Sequence, residues 1–402
     1  MIFTSNVRHN RGLSAYDIGM MARNEPDDFI KKIQAGVESG SLKLSKLSNI
    51  RALYENLCDV PVNCTMEIAG KQRAITAAAF PIMTGELVVA QLNEAYNQVP
   101  TVGQELVYEF EDSKKVTTFG SVEAADKHVS EVKEGDDFPE IHTGEKSYEI
   151  RHKRNGRKFT ITAEAIEENN LPDIVNRLNV LGEIANDWIE EQTLERVFDY
   201  YGSRSSDSEP YVYRPGGTGT SLYSATANTP GTLAPSGTQV QGNQLADYTD
   251  LDNAREVLND MRNSRGKRIN IPWSEVVLVI PTALQGIAFT ILNSQYLPGG
   301  SHNDINTYGP MGKWPIPAER VISSPKIDDI STSAWYLGVP KRQFKRKWKL
   351  RMEYVTLGTD TQAYLNSRVA FQSRIAWDVE VGATDYRYFI QNLSGTSAPY
   401  DE

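Results

Sequence analysis

Residues 146–162, KSYEIRHKRNGRKFTIT, read as strand from end to end, and a helical run, LPDIVNRLNVLGEIANDWIEEQTLERVFDYYG, follows from Leu171. Within the strand-like run, apolar Tyr148 and Ile150 take even positions and Phe159 and Ile161 odd ones, so the buried face changes near Asn155-Gly156. A tight Asn-Gly hairpin would set Arg154 opposite Arg157 and Lys153 opposite Lys158, and like charges across a strand pair are destabilising. A bulge in one long strand produces the same change of face without that clash and is the favoured reading. The strand is then about 17 residues, on the order of 55 Å long. The helix is expected from about Leu171 to Tyr201, with Asn170 as cap, Pro172 and Asp173 in the first turn and Gly202 as stop. Ile174, Leu178, Leu181, Ala185 and Trp188 form an apolar stripe that Leu194, Val197, Phe198 and Tyr201 continue. At roughly 45 Å this helix is far longer than the usual three or four turns. A strand and a helix of such lengths imply an arm and a beam more than a compact globule.

The rest of the composition narrows the class. With 402 residues, 40% of them hydrophobic, the chain can bury a core and form two or three domains or one interrupted one. A formal net charge of −10 argues against a protein that coats itself with nucleic acid, since phosphate binding needs a basic face. Cys58 and Cys64 are the only cysteines, and they share no zinc-type spacing with the five histidines. No signal-peptide order and no apolar run near the ~20 residues of a membrane span is present, so a soluble chain made in a reducing cytoplasm is expected.

Along the chain, residues 1–60 read as short helices of an arm, and Glu105 to Phe110 as a strand. A strongly acidic run follows from Glu123 to Glu140. Residues 203–244, rich in Gly, Ser, Thr and Pro, read as an exposed insertion. Leu251, Ala254, Leu258 and Met261 space a helix, and Val276 to Ile280 form a continuous apolar strand. A second helix is expected to start with a Thr282/Gln285 capping box and to bury Leu284, Ile287, Ala288, Ile291 and Leu292. Near the end, Val369, Phe371, Ile375, Trp377, Val379 and Val381 alternate with Gln372, Arg374, Asp378 and Glu380, one face for the core and one for water.

Catalytic signatures are absent: there is no Gly-rich phosphate loop, HExxH pair, GxSxG elbow or Cys-His constellation. Glu164, Glu167 and Glu168 lie close together, yet acid-base work needs two carboxylates converging on one pocket, and a solvated helix approach accounts for them. His128, His142 and His152 read as surface histidines. The densest basic cluster is KRQFKRKWKLR, Lys341 to Arg351. As a strand it sets Lys345, Lys347, Lys349 and Arg351 on one face and Arg346, Trp348 and Leu350 on the other. That basic face suits solvent, a neighbouring subunit or nucleic acid.

Taken in order, these features resemble the major capsid protein family of tailed phages, with its HK-ninety-seven-like fold. Gly156 to Leu194 is similar to that family's passage from extended loop to spine helix, SEVVLVIPTALQGI (Ser274 to Ile287) to its axial domain, and VAFQSRIAWDVEV (Val369 to Val381) to its closing strands. With PTVGQELVYEFEDSKKVTTFGSVEAAD, the resemblance spans roughly residues 80–393.

What the resemblance implies is an α+β chain: an N-terminal arm (1–116), an extended β-hairpin loop (117–163) with its tip near Gly135 to Gly144, and a peripheral domain (164–245) carrying the spine helix 171–201. It further implies an axial domain (246–345), return strands (346–395) and a tail (396–402). The acidic outgoing run would face the basic returning run. Lys153, Arg154, Arg157 and Lys158 of the loop would meet Glu183, Asp187, Glu190 and Glu191 on a neighbour's spine helix, and Lys345, Lys347, Lys349 and Arg351 would form a further interface strand. The implied function is self-assembly, through hexamers and pentamers, into an icosahedral shell around double-stranded DNA. No enzyme activity, cofactor or metal is expected, and no membrane. The partners are further copies of the chain, a portal, and scaffolding or decoration proteins, with DNA touched non-specifically in a virion assembled in the host cytoplasm. A lysine-asparagine cross-link through Lys153 or Lys158, known in some members, has no identifiable partner here. The rival readings are an encapsulin-like compartment shell, another phage structural protein, and a hydrolase using Glu164 and Glu168.

Overall fold

The computed structural model describes residues 96, 101–124, 143–162, 171–200, 221–225, 237–263, 266–296, 305–357 and 369–395, and every structural statement below concerns these. They fall into two compact units. One holds 154–188 and 351–377; the other holds 101–153, 189–350 and 378–395. Residues 1–60, most of the acidic run, the tip at 135–142, and Glu164, Glu167 and Glu168 lie outside the described residues.

The expected strand run is present as two strands rather than one. A short helix α1 (Gly103–Leu106) leads into β1 (Tyr108–Glu111), then β2 (Val116–Ala124), β3 (Thr143–Arg151) and β4 (Lys153–Thr162). β2 and β3, the described strands of the expected arm, form an antiparallel two-stranded sheet, in register from Val116↔Arg151 to Ala124↔Thr143. The interruption falls at His152, not at Asn155-Gly156, because there the chain changes partner: β3 pairs with β2, whereas β4 enters a second sheet. No hairpin forms at Asn155-Gly156. Gly156 instead allows close backbone approach, since a Cβ there would lie 2.5 Å from the carbonyl oxygen of Ile375.

The long helix α2 (Leu171–Val197) spans 27 residues, about 40 Å. It stops earlier than the expected Gly202. Asp199 takes a left-handed φ of 53° and the Tyr200 N–H reaches back to the Glu195 carbonyl at 2.9 Å, closing the helix as a glycine would. The Asp199 side chain makes the position useful by accepting the Leu222 N–H at 2.6 Å.

That bond begins a correction within the 203–244 segment, of which 221–225 and 237–244 are described. Leu222 and Tyr223 are buried in the main core, the Tyr223 hydroxyl donates to the Val197 carbonyl at 2.7 Å, and buried Thr238 Oγ1 donates to the Leu222 carbonyl at 3.1 Å. A segment poor in aliphatics thus still contributes anchors, and its strand β5 (Gln239–Val240) joins a sheet.

That five-stranded sheet belongs to the larger unit. Its other strands are β6 (Val277–Ile280), β7 (Val321–Ser323), β8 (Trp335–Gly338) and β11 (Phe389–Asn392), in the order β5-β11-β8-β6-β7. Helix α3 (Tyr248–Asn259) packs Leu251, Ala254 and Leu258 into its core as the spacing predicts, and Asp247 and Asp250 cap it reciprocally. Helix α4 (Gln285–Asn293) buries Ala288, Ile291 and Leu292 but leaves Ile287 exposed. The expected Thr282/Gln285 capping box does not form. A 3-10 turn precedes α4, and the Asp328 carboxylate, a stronger acceptor than Gln285, takes both the N–H and the hydroxyl of Thr282.

The remaining sheet has the order β1-β9-β10-β4, with β9 (Phe344–Leu357) and β10 (Val369–Ala383) as its long members. Along β10 the expected wet face is dry in part. Asp378 and Glu380 are buried like Trp377 and Val379: the His152 imidazole Nε2 lies 4.0 Å from Asp378, and the buried Arg196 guanidinium Nε lies 3.7 Å from Glu380. In the smaller unit, Trp188 packs on Trp377 with ring centroids 5.9 Å apart.

Candidate functional site

The basic strands β4 and β9 carry the clustered charge that the sequence leaves unexplained. A turn at Asp112 starts the arm. Its carboxylate accepts the Lys114 N–H at 3.0 Å and the Thr117 hydroxyl, and these bonds hold the carboxyl below its usual range, while burial opposes and the Lys347 ammonium assists. The arm's first residues are fixed by contacts on both sides. Ile150 is buried opposite Thr117, and the Phe110 ring meets Phe119 edge-on at 5.3 Å.

The basic strand β9 is the clearest departure from expectation. β1 runs parallel to it, pairing Tyr108 with Lys345, Glu109 with Arg346, Phe110 with Lys347 and Glu111 with Trp348. An acidic strand therefore lies against the cations. Arg346 is buried and its Nε is 3.1 Å from Glu109 Oε1. Lys347, expected on an open basic face, is fully buried: its Nζ donates to the Lys114 carbonyl at 2.6 Å and lies 3.8 Å from Asp112. Burial pushes its ammonium pKa down, and Asp112 resists that. Lys345 is half-buried over the Phe119 ring at 4.4 Å. Only Lys349 and Arg351 of the expected four remain exposed. Spacing could not reveal this, because the partner strand β1 lies more than two hundred residues earlier in the chain.

The loop cations behave differently. Lys153, Arg154, Arg157 and Lys158 are all exposed on β4. They do not face the acidic outgoing run across the arm, because the hairpin register ends at Val116↔Arg151 and β4 has β10 as its neighbour. The expected charge opposition within the arm is corrected on that ground.

On α2, Glu183, Asp187 and Glu191 are exposed, whereas Glu190 is buried. Its Oε1 accepts the N–H groups of Val102 and Gly103 at 2.8 and 2.9 Å, and its Oε2 accepts Gly103 again at 3.0 Å. Glu190 therefore caps α1 within its own chain and is removed from the set of outward acids. Adjacent carboxylates, Glu190 and Glu191, differ because one helix position faces the chain entering at 101–103 and the next faces out.

Among the described residues, no group of three or more His, Cys, Asp or Glu could hold a metal ion, and no helix is long and apolar enough to cross a membrane. Of the charged residues singled out in the sequence, Lys153, Arg154, Arg157 and Lys158 of β4, Lys349 and Arg351 of β9, and Glu183, Asp187 and Glu191 of α2 are exposed.

The phage capsid protein family model matches residues 146–392, more than half of the chain, and the chain belongs to that family. It is a shell-forming structural protein of the bacteriophage virion. No curated protein matches it. Similar solved structures include the mature capsid of bacteriophage PhiM1, at 10% identity and a TM-score of 0.46, covering 75% of this chain and 89% of that one. The capsid of cyanophage P-SCSP1u is 12% identical with a TM-score of 0.46, covering 74% and 89%. The virus-like particle from Pyrococcus furiosus is 8% identical with a TM-score of 0.41, covering 76% and 97%. These scores describe a loose likeness of chain path.

Proposed function

We propose that the chain is the major head protein of a tailed phage, assembling through hexamers and pentamers into an icosahedral shell around double-stranded DNA. The family match over 146–392, which runs from the arm's return strand to β11, is the observation that carries this reading. Its work is mechanical: closed rings need one face of a subunit to meet a different face of the next, and the arm, whose described strands β2 and β3 pair with each other, provides such a face. Assembly takes place in the host cytoplasm, with a portal and scaffolding or decoration proteins as further partners.

In this reading Lys153, Arg154, Arg157 and Lys158 meet the exposed Glu183, Asp187 and Glu191 of a neighbour, while Lys349 and Arg351 offer a smaller second patch. Each such pair is worth about 0–1 kcal/mol, so they set register, and repetition around the shell multiplies them. The net charge of −10 keeps the packaged genome from adhering to the wall, leaving DNA contacts non-specific.

Negative-stain microscopy of the expressed chain tests the proposal, with closed shells expected. Reversing Lys153, Arg154, Arg157 and Lys158 to Glu is expected to leave a folded subunit that no longer forms shells. Normal shells from that variant overturn the role of the cluster, and single particles from the native chain under all assembly conditions overturn the function.

A further inference from the structure

One buried titratable group, expected at the surface from the sequence, has no part in the proposed intersubunit contacts. His152 is the residue at which β3 ends and β4 begins, so it sits where the arm leaves its sheet. Its neighbours in the chain, Arg151 and Lys153, are exposed, but its own side chain is 7% exposed. The groups facing it come from three elements: Asp378 of β10, Lys347 and Lys349 of β9, and the backbone carbonyl of Lys115 at the start of the arm. Lys347 is itself engaged by Asp112.

The Asp378 carboxylate lies 4.0 Å from Nε2, beyond hydrogen-bond range, and Nδ1 has no hydrogen-bond partner among the described residues. A protonated imidazole carries two N–H donors, and here one of them would be buried without an acceptor, while the charges of Lys349 and Lys347 oppose a further cation. The site therefore suits the neutral ring.

We propose that His152 is a proton-operated latch at the root of the arm: the neutral ring stays seated beside β9 and β10, and protonation unseats it and loosens the start of the β2–β3 hairpin. Burial is the largest influence on the ring, followed by Lys349, and both disfavour the charge more than Asp378 and the Lys115 carbonyl favour it. The sign follows. Above about pH 6.5 the ring is neutral whether seated or released, and below it the released ring takes the proton more readily, so the seated form loses ground as pH falls. That the latch regulates assembly rests on the reading of the arm as an intersubunit contact; that it exists does not.

Hydrogen–deuterium exchange of the unassembled full chain, corrected for the intrinsic pH dependence of exchange, reads the latch directly. Peptides covering 116–119 and 148–152 of the native chain should exchange roughly threefold to tenfold faster as pH falls from about 7.5 to 5. His152→Gln should remove that response, and His152→Lys should exchange fast at every pH. A histidine NMR titration of the native chain, with the resonance assigned by its loss in either His152→Gln or His152→Asn, should give a midpoint below about 6.5. A midpoint at or above that value, or an unchanged exchange profile in His152→Gln, overturns the latch. If exchange responds to pH while shell yield does not, the latch stands and the intersubunit role of the arm falls.

Discussion

Glu190→Ala isolates what one buried carboxylate contributes. In the native chain it receives two backbone N–H groups, from Val102 and Gly103, through three contacts of 2.8–3.0 Å. Hydrogen bonds to a charged acceptor contribute about 1.5–3 kcal/mol each, and water reaches the Val102 side in part, so a loss of about 3 kcal/mol is expected. For a unit of a few hundred residues this lowers the thermal midpoint by about 6–12 °C. Glu191→Ala is the matched control. It removes the same residue type one position along, exposed, and should change stability by no more than about 0.5 kcal/mol. Calorimetry of unassembled subunits measures both, and exchange at 102–106 should rise in the first variant alone. Equal midpoints for the two variants would refute the capping role and return Glu190 to the outward face.

Three further outcomes follow from the same structure. Gly156→Ala places a methyl 2.5 Å from the Ile375 carbonyl oxygen, so β4 and β10 must separate, at a cost of about 1–3 kcal/mol in urea unfolding; a neutral result contradicts the close approach. Lys347→Ala should cost about 2 kcal/mol by losing its carbonyl bond and its partner Asp112, whereas exposed Lys349→Ala should be near neutral in the same assay. Asp112 has a lowered carboxyl pKa, so its contribution is present above the ordinary value of about 3.9 and lost as pH falls through the lower folded value. Thr117→Val removes the largest cause, and the thermal midpoint of that variant should depend less on pH between about 4 and 2.5 than the native one; parallel curves refute the assignment.

What the sequence determined by itself are the features whose signal is local. The 3.6-residue spacing of Leu251, Ala254 and Leu258 places α3, the apolar run places β6, and the like-charge clash excludes a hairpin at Asn155-Gly156. The long helix and the strands before it come from the same kind of pattern, and the family follows from their order. Tertiary structure alone decided which charges look outward. Glu190 and Glu191, or Lys347 and Lys349, are the same residue types at neighbouring positions, and only the arrival of 101–112 from far earlier in the chain buries one of each pair. It also moved the strand break to His152, because a strand ends where its hydrogen-bonding partner changes, and partners distant in sequence leave no periodic trace. Burial of a charge is a property of the space around it, which a linear pattern does not encode.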